Sequence, residues 1–149
     1  MKAFFALTLA ALCQSVYCLR DGTYTIRSAS LGPHKVLTEN MKEHEEPLAF
    51  KEKHERIEPG QLWDLKSKDK GYFEVQNHLG DYINCGTEEG STCYAGKEPQ
   101  QFLPERADED TYELVAKGSG YFLRVAESGE LRLAGYDGSP SEKFYLSEV

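Results

Sequence analysis

The chain has 149 residues, 40% of them hydrophobic and 28% charged, and carries a formal net charge of −8. That length bounds one domain with a single sizeable core. The acidic balance excludes functions that rest on a cationic surface, so nucleic acid, heparin-like polymers and anionic membranes are not expected partners.

The N-terminus reads as a signal peptide. Lys2 supplies the positive start, and Phe4 to Cys13 form an apolar run. About ten residues suffice for a signal core of ~7–15 and fall short of the ~20 that span a bilayer. Val16 and Cys18 stand where a cleavage site before Leu19 needs small residues. A buried N-terminal helix is the other reading, but Asp21-Gly22 breaks the chain directly afterwards. The expectation is a secreted, monomeric protein of residues 19–149, with 1–18 removed. Removal takes away Lys2 and no carboxylate, so the net charge moves from −8 to −9. It also takes Cys13 and Cys18, leaving Cys85 and Cys93. An even pair in a secreted domain predicts a disulfide, here across the hairpin tip "GTEEGST". Closing so short a loop contributes about 2–3 kcal/mol through loss of unfolded-state entropy.

From Gly22 onward, short runs alternate apolar and polar residues and are cut by Gly, Pro, Asn and Asp. This predicts an all-β domain. Three segments open alike, "GTYTIRSASLG", "GYFEVQNHLG" and "TYELVAKGSG". Each sets an aromatic two positions before an aliphatic (Tyr24 and Ile26, Phe73 and Val75, Tyr112 and Leu114), on one face of a strand. A second strand follows in "KVLT", "DYINC" and "YFLRV", and a third in "PLAF", "TCYAG" and "ELRLA". Each segment closes on an aromatic: "QLWDL", "QFLPE", "KFYLS". Trp63 precedes Phe102 by 39 residues and Phe102 precedes Phe144 by 42, so a unit of four strands recurs about every forty residues.

Three such units resemble the β-trefoil fold, with repeats at about 19–66, 67–106 and 107–149. The resemblance implies a six-stranded barrel capped by three hairpins with pseudo-threefold symmetry. One unit cannot bury its apolar face, whereas three around an axis can, and closure removes exposed edges. A WD-type propeller has blades of similar length, but three blades are too few to close. In a trefoil, Trp63, Phe102 and Phe144 become equivalent core wedges.

Function then rests on the loops. No G-x-S-x-G, H-E-x-x-H or C-x-x-C occurs, and His34, His44, His54 and His78 match no metal-ligand spacing. The chain is therefore expected to be no enzyme and to hold no metal or cofactor. Two binding readings follow from resemblance. The order of Gly22, Tyr24 and Ile26, then Leu62-Trp63-Asp64-Leu65, then Pro140, Phe144 and Val149 resembles small fungal β-trefoil serine protease inhibitors, the cnispin-like group. That resemblance implies a serine protease as partner, met by a substrate-like loop. Within the loops, Arg56-Ile57 suits a trypsin-like pocket, as does Lys143, and Tyr136 suits a chymotrypsin-like one. The alternative is a glycan-binding module. Gln61-Leu62-Trp63 spells the Q-x-W triplet of ricin-type lectins, and Tyr82, Tyr94 and Tyr121, with Tyr136, are candidates to stack on a sugar ring. That lectin pattern also wants an Asp early in the unit and an Asn before Q-x-W, where Gly60 stands here. A growth-factor or cytoskeletal trefoil is disfavoured by the acidic charge and by the signal peptide.

Overall fold

A computed structural model describes residues 19–40 and 46–149. The expected signal peptide at 1–18 and His44 lie outside the described residues.

Twelve strands follow in chain order: β1 (Gly22–Ser28), β2 (Lys35–Thr38), β3 (Ala49–Glu52), β4 (Trp63–Ser67), β5 (Phe73–Asn77), β6 (Tyr82–Asn84), β7 (Tyr94–Gly96), β8 (Gln101–Arg106), β9 (Tyr112–Ala116), β10 (Phe122–Val125), β11 (Leu131–Ala134) and β12 (Phe144–Glu148). All pairings are antiparallel. Following them around gives β1–β4–β5–β8–β9–β12 and back to β1, a closed six-stranded barrel. The remaining strands form three hairpins, β2–β3, β6–β7 and β10–β11. This is the β-trefoil, four strands to a unit, three units to the molecule.

The physical reason is visible in triplets of equivalent residues. Trp63, Phe102 and Phe144 each open or nearly open a closing strand and are at most 1% exposed. Ile26, Val75 and Leu114 point inward from the first strands, and Leu37, Ile83 and Leu123 from the second. Alternation of period two therefore places one face of every strand in a shared core. The indole N–H, the one polar group of Trp63, donates to the Leu37 carbonyl at 3.0 Å, so the ring is buried without an orphaned donor.

The three hairpins meet in a ring of backbone hydrogen bonds. Leu48 N–H donates to the Cys93 carbonyl (2.9 Å), Cys93 N–H to Leu131 (2.9 Å), and Leu131 N–H back to Leu48 (2.8 Å). Each of these residues is buried. A buried N–H without a partner is costly, and this triangle satisfies three at once. The expected disulfide joins Cys85 to Cys93. One of its cysteines thus belongs to the central triangle, and the loop it closes, residues 86–92, is anchored at the axis.

Candidate functional site

Two residues before each closing aromatic stands a polar side chain: Gln61, Gln100 and Glu142. Each locks its unit to the second strand or the residues directly after it, in a different way.

In unit one, Gln61 is fully buried. Its amide nitrogen donates to Thr38 Oγ1 at 3.2 Å and to the Glu52 carbonyl at 3.0 Å. The Q-x-W triplet is thus a structural lock in this unit. Gly60 before it is required by close approach, because a Cβ there would lie 2.6 Å from the Glu39 carbonyl oxygen. No side chain fits where a lectin unit carries its Asn.

In unit two, Gln100 accepts from Cys85 N–H at 2.6 Å and donates to the Gly86 carbonyl at 2.8 Å. A cleft of about 620 Å³ opens here, lined by Asn84, Ser91, Tyr94 and Lys97 among others. Tyr94 is 43% exposed. Lys97 is held on Asp81 at 2.7 Å, and that hydrogen bond and charge raise the Lys97 pKa.

In unit three, the lock is ionic. Arg124 of β10 donates to Glu142 Oε2 from Nε (3.2 Å) and Nη2 (2.7 Å), and Nη2 also reaches the Gly135 carbonyl (2.8 Å). Asp137 adds a second carboxylate at 2.9 Å from Nη2. Glu142 has no solvent exposure. Its Oε1 accepts from the backbone N–H groups of Asp137 (3.0 Å) and Gly138 (3.2 Å), so one buried carboxylate fixes both the guanidinium and the loop after β11. Hydrogen bonds from Ser139, helped by the Arg124 charge, hold the Asp137 carboxyl below its usual range against the opposing effect of burial.

This lock forms one wall of a cleft of about 630 Å³. Val125, Leu133 and Ala134 give it an apolar floor, and Asp137 and Ser141 form one rim. Ser141 occupies the place that Gly60 and Pro99 hold in the other units, so unit three alone keeps a polar side chain there. Further lining comes from elsewhere in the chain: Glu89 and Gly90 from the disulfide-closed loop of unit two, Ser30 and Leu31 from the turn after β1. Gly90 N–H donates to the Leu133 carbonyl (2.8 Å), which sets that loop against β11. Beside Asp137, Tyr136 is 64% exposed, the phenol ring leaning on Phe122 with centroids 5.0 Å apart.

The other sequence candidates lie apart. Tyr82 sits under the Lys66 ammonium, 5.9 Å from the ring centroid. Tyr121 is half-buried against the core. Arg56 is exposed and Ile57 half-buried in the loop between β3 and β4. Lys143 is held at the start of the closing strand, its N–H on the Pro140 carbonyl and its own carbonyl taking Ala29 N–H, with the ammonium 3.9 Å from Asp108. The structure thus gathers Tyr94 into one cleft and sets Tyr136 beside another, and leaves Arg56, Ile57 and Lys143 outside both. Sequence reasoning missed Arg124, Asp137, Glu142 and Glu89. The signal for Glu142 was its position two before Phe144, where the other units carry Gln. Among the described residues, no group of three or more His, Cys, Asp or Glu is placed to hold a metal ion. Nor is any helix among them long and apolar enough to cross a membrane.

A family model described as ricin-type beta-trefoil lectin domain-like matches residues 59–134. No curated protein matches the chain. Among solved structures, the Rhizoctonia solani agglutinin superposes with a TM-score of 0.76 at 20% identity, covering 91% of this chain and 100% of its own. The Macrolepiota procera ricin B-like lectin in complex with lactose gives 0.73 at 16% identity, covering 88% of this chain and 99% of its own. The Polyporus squamosus lectin bound to a Neu5Aca2-6Galb1-4GlcNAc epitope gives 0.69 at 15%, covering 87% of this chain and 50% of its own. At these identities the likeness establishes the fold alone.

Proposed function

The chain belongs to the ricin-type β-trefoil lectin domain-like family, and from that premise we propose that it is a non-catalytic carbohydrate-binding module whose working site is the unit-three cleft. The observation that carries this is an open cleft lined by polar side chains on a fixed loop, with the exposed ring of Tyr136 adjoining Asp137 on that loop. A pyranose presents an apolar C–H face and a rim of hydroxyls. Tyr136 offers the platform for the first. Asp137 and Ser141 offer acceptors and a donor for the second, on a loop already fixed by Glu142. Such pre-organisation limits the ordering cost of binding a small polar ligand.

The matched family and the lectins among its structural neighbours support this reading over protease inhibition. The residues that resembled inhibitors explain why: Ile26, Trp63 and Phe144 lie in the core, where any trefoil needs them, so they carry no information about a partner. The disulfide between Cys85 and Cys93 supports a secreted protein.

The test is a glycan array, followed by titration of the best ligand against the wild type and Tyr136→Ala. Loss of the ring is expected to weaken binding about tenfold, or 1.4 kcal/mol, with an unchanged circular dichroism spectrum. Folded protein that captures no glycan, or a variant that binds as the wild type does, refutes the assignment.

A further inference from the structure

The charges around the unit-three cleft do not balance. Arg124 is matched by both Glu142 and Asp137. Arg132 is matched by Glu130 at 3.1 Å. Two carboxylates lining the same cleft, Glu89 and Glu127, are exposed and in no ion pair with a described residue. They approach from different parts of the chain. Glu127 follows β10, while Glu89 is delivered by the loop that the Cys85–Cys93 disulfide closes. Glu89 reaches well over the cleft: its Oε1 would lie 3.5 Å from a Cβ placed on Gly135, the residue whose carbonyl holds Arg124. Both cations are thus spoken for, and the surplus charge at the cleft is negative, within a chain of net charge −8.

Resting on the carbohydrate-binding reading of this cleft, we propose that it selects sugars bearing a free, protonated amino group, with Glu89 and Glu127 as the specificity-determining carboxylates. An ammonium on the sugar ring adds a charge-assisted hydrogen bond and a Coulombic attraction that an acetamido group does not offer. A sugar carboxylate or sulfate meets repulsion instead, because the guanidinium that would receive it is already occupied by two carboxylates.

The test uses the full chain at about pH 6 and low salt, titrated by NMR with three probes of one stereochemistry: galactosamine, N-acetylgalactosamine and galacturonic acid. The gluco series of the same three runs beside it. In at least one series the amino sugar is expected to bind about fivefold more tightly than its N-acetyl form, and the uronic acid more weakly than either. High salt shrinks the preference, since the carboxylates are exposed. The Glu89→Gln, Glu127→Gln double variant is expected to lose the preference, binding the amino and N-acetyl sugars about equally, whereas the remote Glu109→Gln control keeps it. Equal affinities for amino and N-acetyl sugars overturn the proposal, as does a preference that survives the double variant, or tightest binding of the uronic acid. If no probe binds while a neutral glycan is captured on the array, amino-group selection falls and the carbohydrate reading stands. If neither experiment finds a ligand, both fall.

Discussion

Replacing Glu142 by Gln removes one charge from the point where unit three is held together. The two carboxylate oxygens accept four hydrogen bonds, two from Arg124 and two from the backbone N–H groups of Asp137 and Gly138. A glutamine keeps one acceptor oxygen and turns the other into a donor. Whichever way the amide faces, an N–H group meets N–H groups, and two of the four bonds are lost. Removing one partner of a fully buried pair costs about 3–5 kcal/mol. The Arg124 side chain is 31% exposed, so water recovers part of its solvation and the lower end, about 3 kcal/mol, is expected. With a urea slope of about 2 kcal/mol/M for a domain of this size, the unfolding midpoint falls by about 1.5 M. The decisive arm is the double variant Arg124→Asn, Glu142→Gln, which places at these positions the neutral residue types that unit two carries as Asn84 and Gln100, each bonded there to backbone groups, and leaves no guanidinium short of its carboxylate. It is expected to regain at least about 1.5 kcal/mol relative to the sum of the single losses, a coupling that a double-mutant cycle reads directly. Additive losses, or a Glu142→Gln midpoint within about 0.2 M of the wild type, refute the view of Glu142 as the ionic lock.

Two further perturbations probe other parts of the same frame. Glu113 is buried with Oε2 unpartnered, and burial first, then repulsion from Glu142, raises its pKa despite the opposing Lys143. A carboxyl that holds its proton more tightly when folded loses stability as pH rises from its unfolded value of about 4.3 through the raised folded one. Glu113→Gln should therefore raise the urea midpoint at pH 7, with the gain fading towards about pH 4; an unchanged or lower midpoint at pH 7 contradicts the sign. Gly60→Ala drives a Cβ to within 2.6 Å of the Glu39 carbonyl oxygen, and the forced backbone shift should cost about 2 kcal/mol in the same assay. A variant as stable as the wild type would mean that the loop before Gln61 yields freely.

Most of the fold was legible because it depends on local patterns that repeat. Alternation in "GTYTI", "GYFEV" and "TYELV", the spacing of Trp63, Phe102 and Phe144, and the turn-rich loop between Cys85 and Cys93 each record a constraint carried by neighbouring residues. The site was legible only in part. Tyr94 and Tyr136 were legible because a tyrosine, an apolar ring with a polar edge, suits stacking on a sugar, a criterion that picked Tyr82 and Tyr121 equally. Arg124 and Glu142 were not, because 18 residues separate them and only the register of β10 against β11 and the turn before β12 brings them together. Glu89 was less visible still, since it serves a cleft of the next unit. The Q-x-W triplet drew attention to unit one, yet its Gln61 is spent on Thr38 and Glu52, and the Glu39 carbonyl occupies the space beside Gly60.

The ionic lock also bears on why the unit-three cleft stays open to water. The barrel closes through the aromatic wedges and the Leu48, Cys93, Leu131 triangle, none of which involves Gln61, Gln100 or Glu142. The locks are therefore free to differ in chemistry without undoing closure. The neutral Gln61 is completely buried with its amide nitrogen on Thr38 and Glu52 and its Oε1 unpartnered, and leaving one amide oxygen without a partner costs far less than burying a charge. A guanidinium carries that charge. With Nε and Nη2 engaged by Glu142, Gly135 and Asp137, the rest of Arg124 still needs solvation, and burying it fully would add a desolvation penalty of several kcal/mol. An ionic lock thus keeps its side of the hairpin hydrated, and a hydrated, rigid, polar-edged concavity is what a ligand made of hydroxyl groups can enter by exchanging hydrogen bonds with the water it displaces.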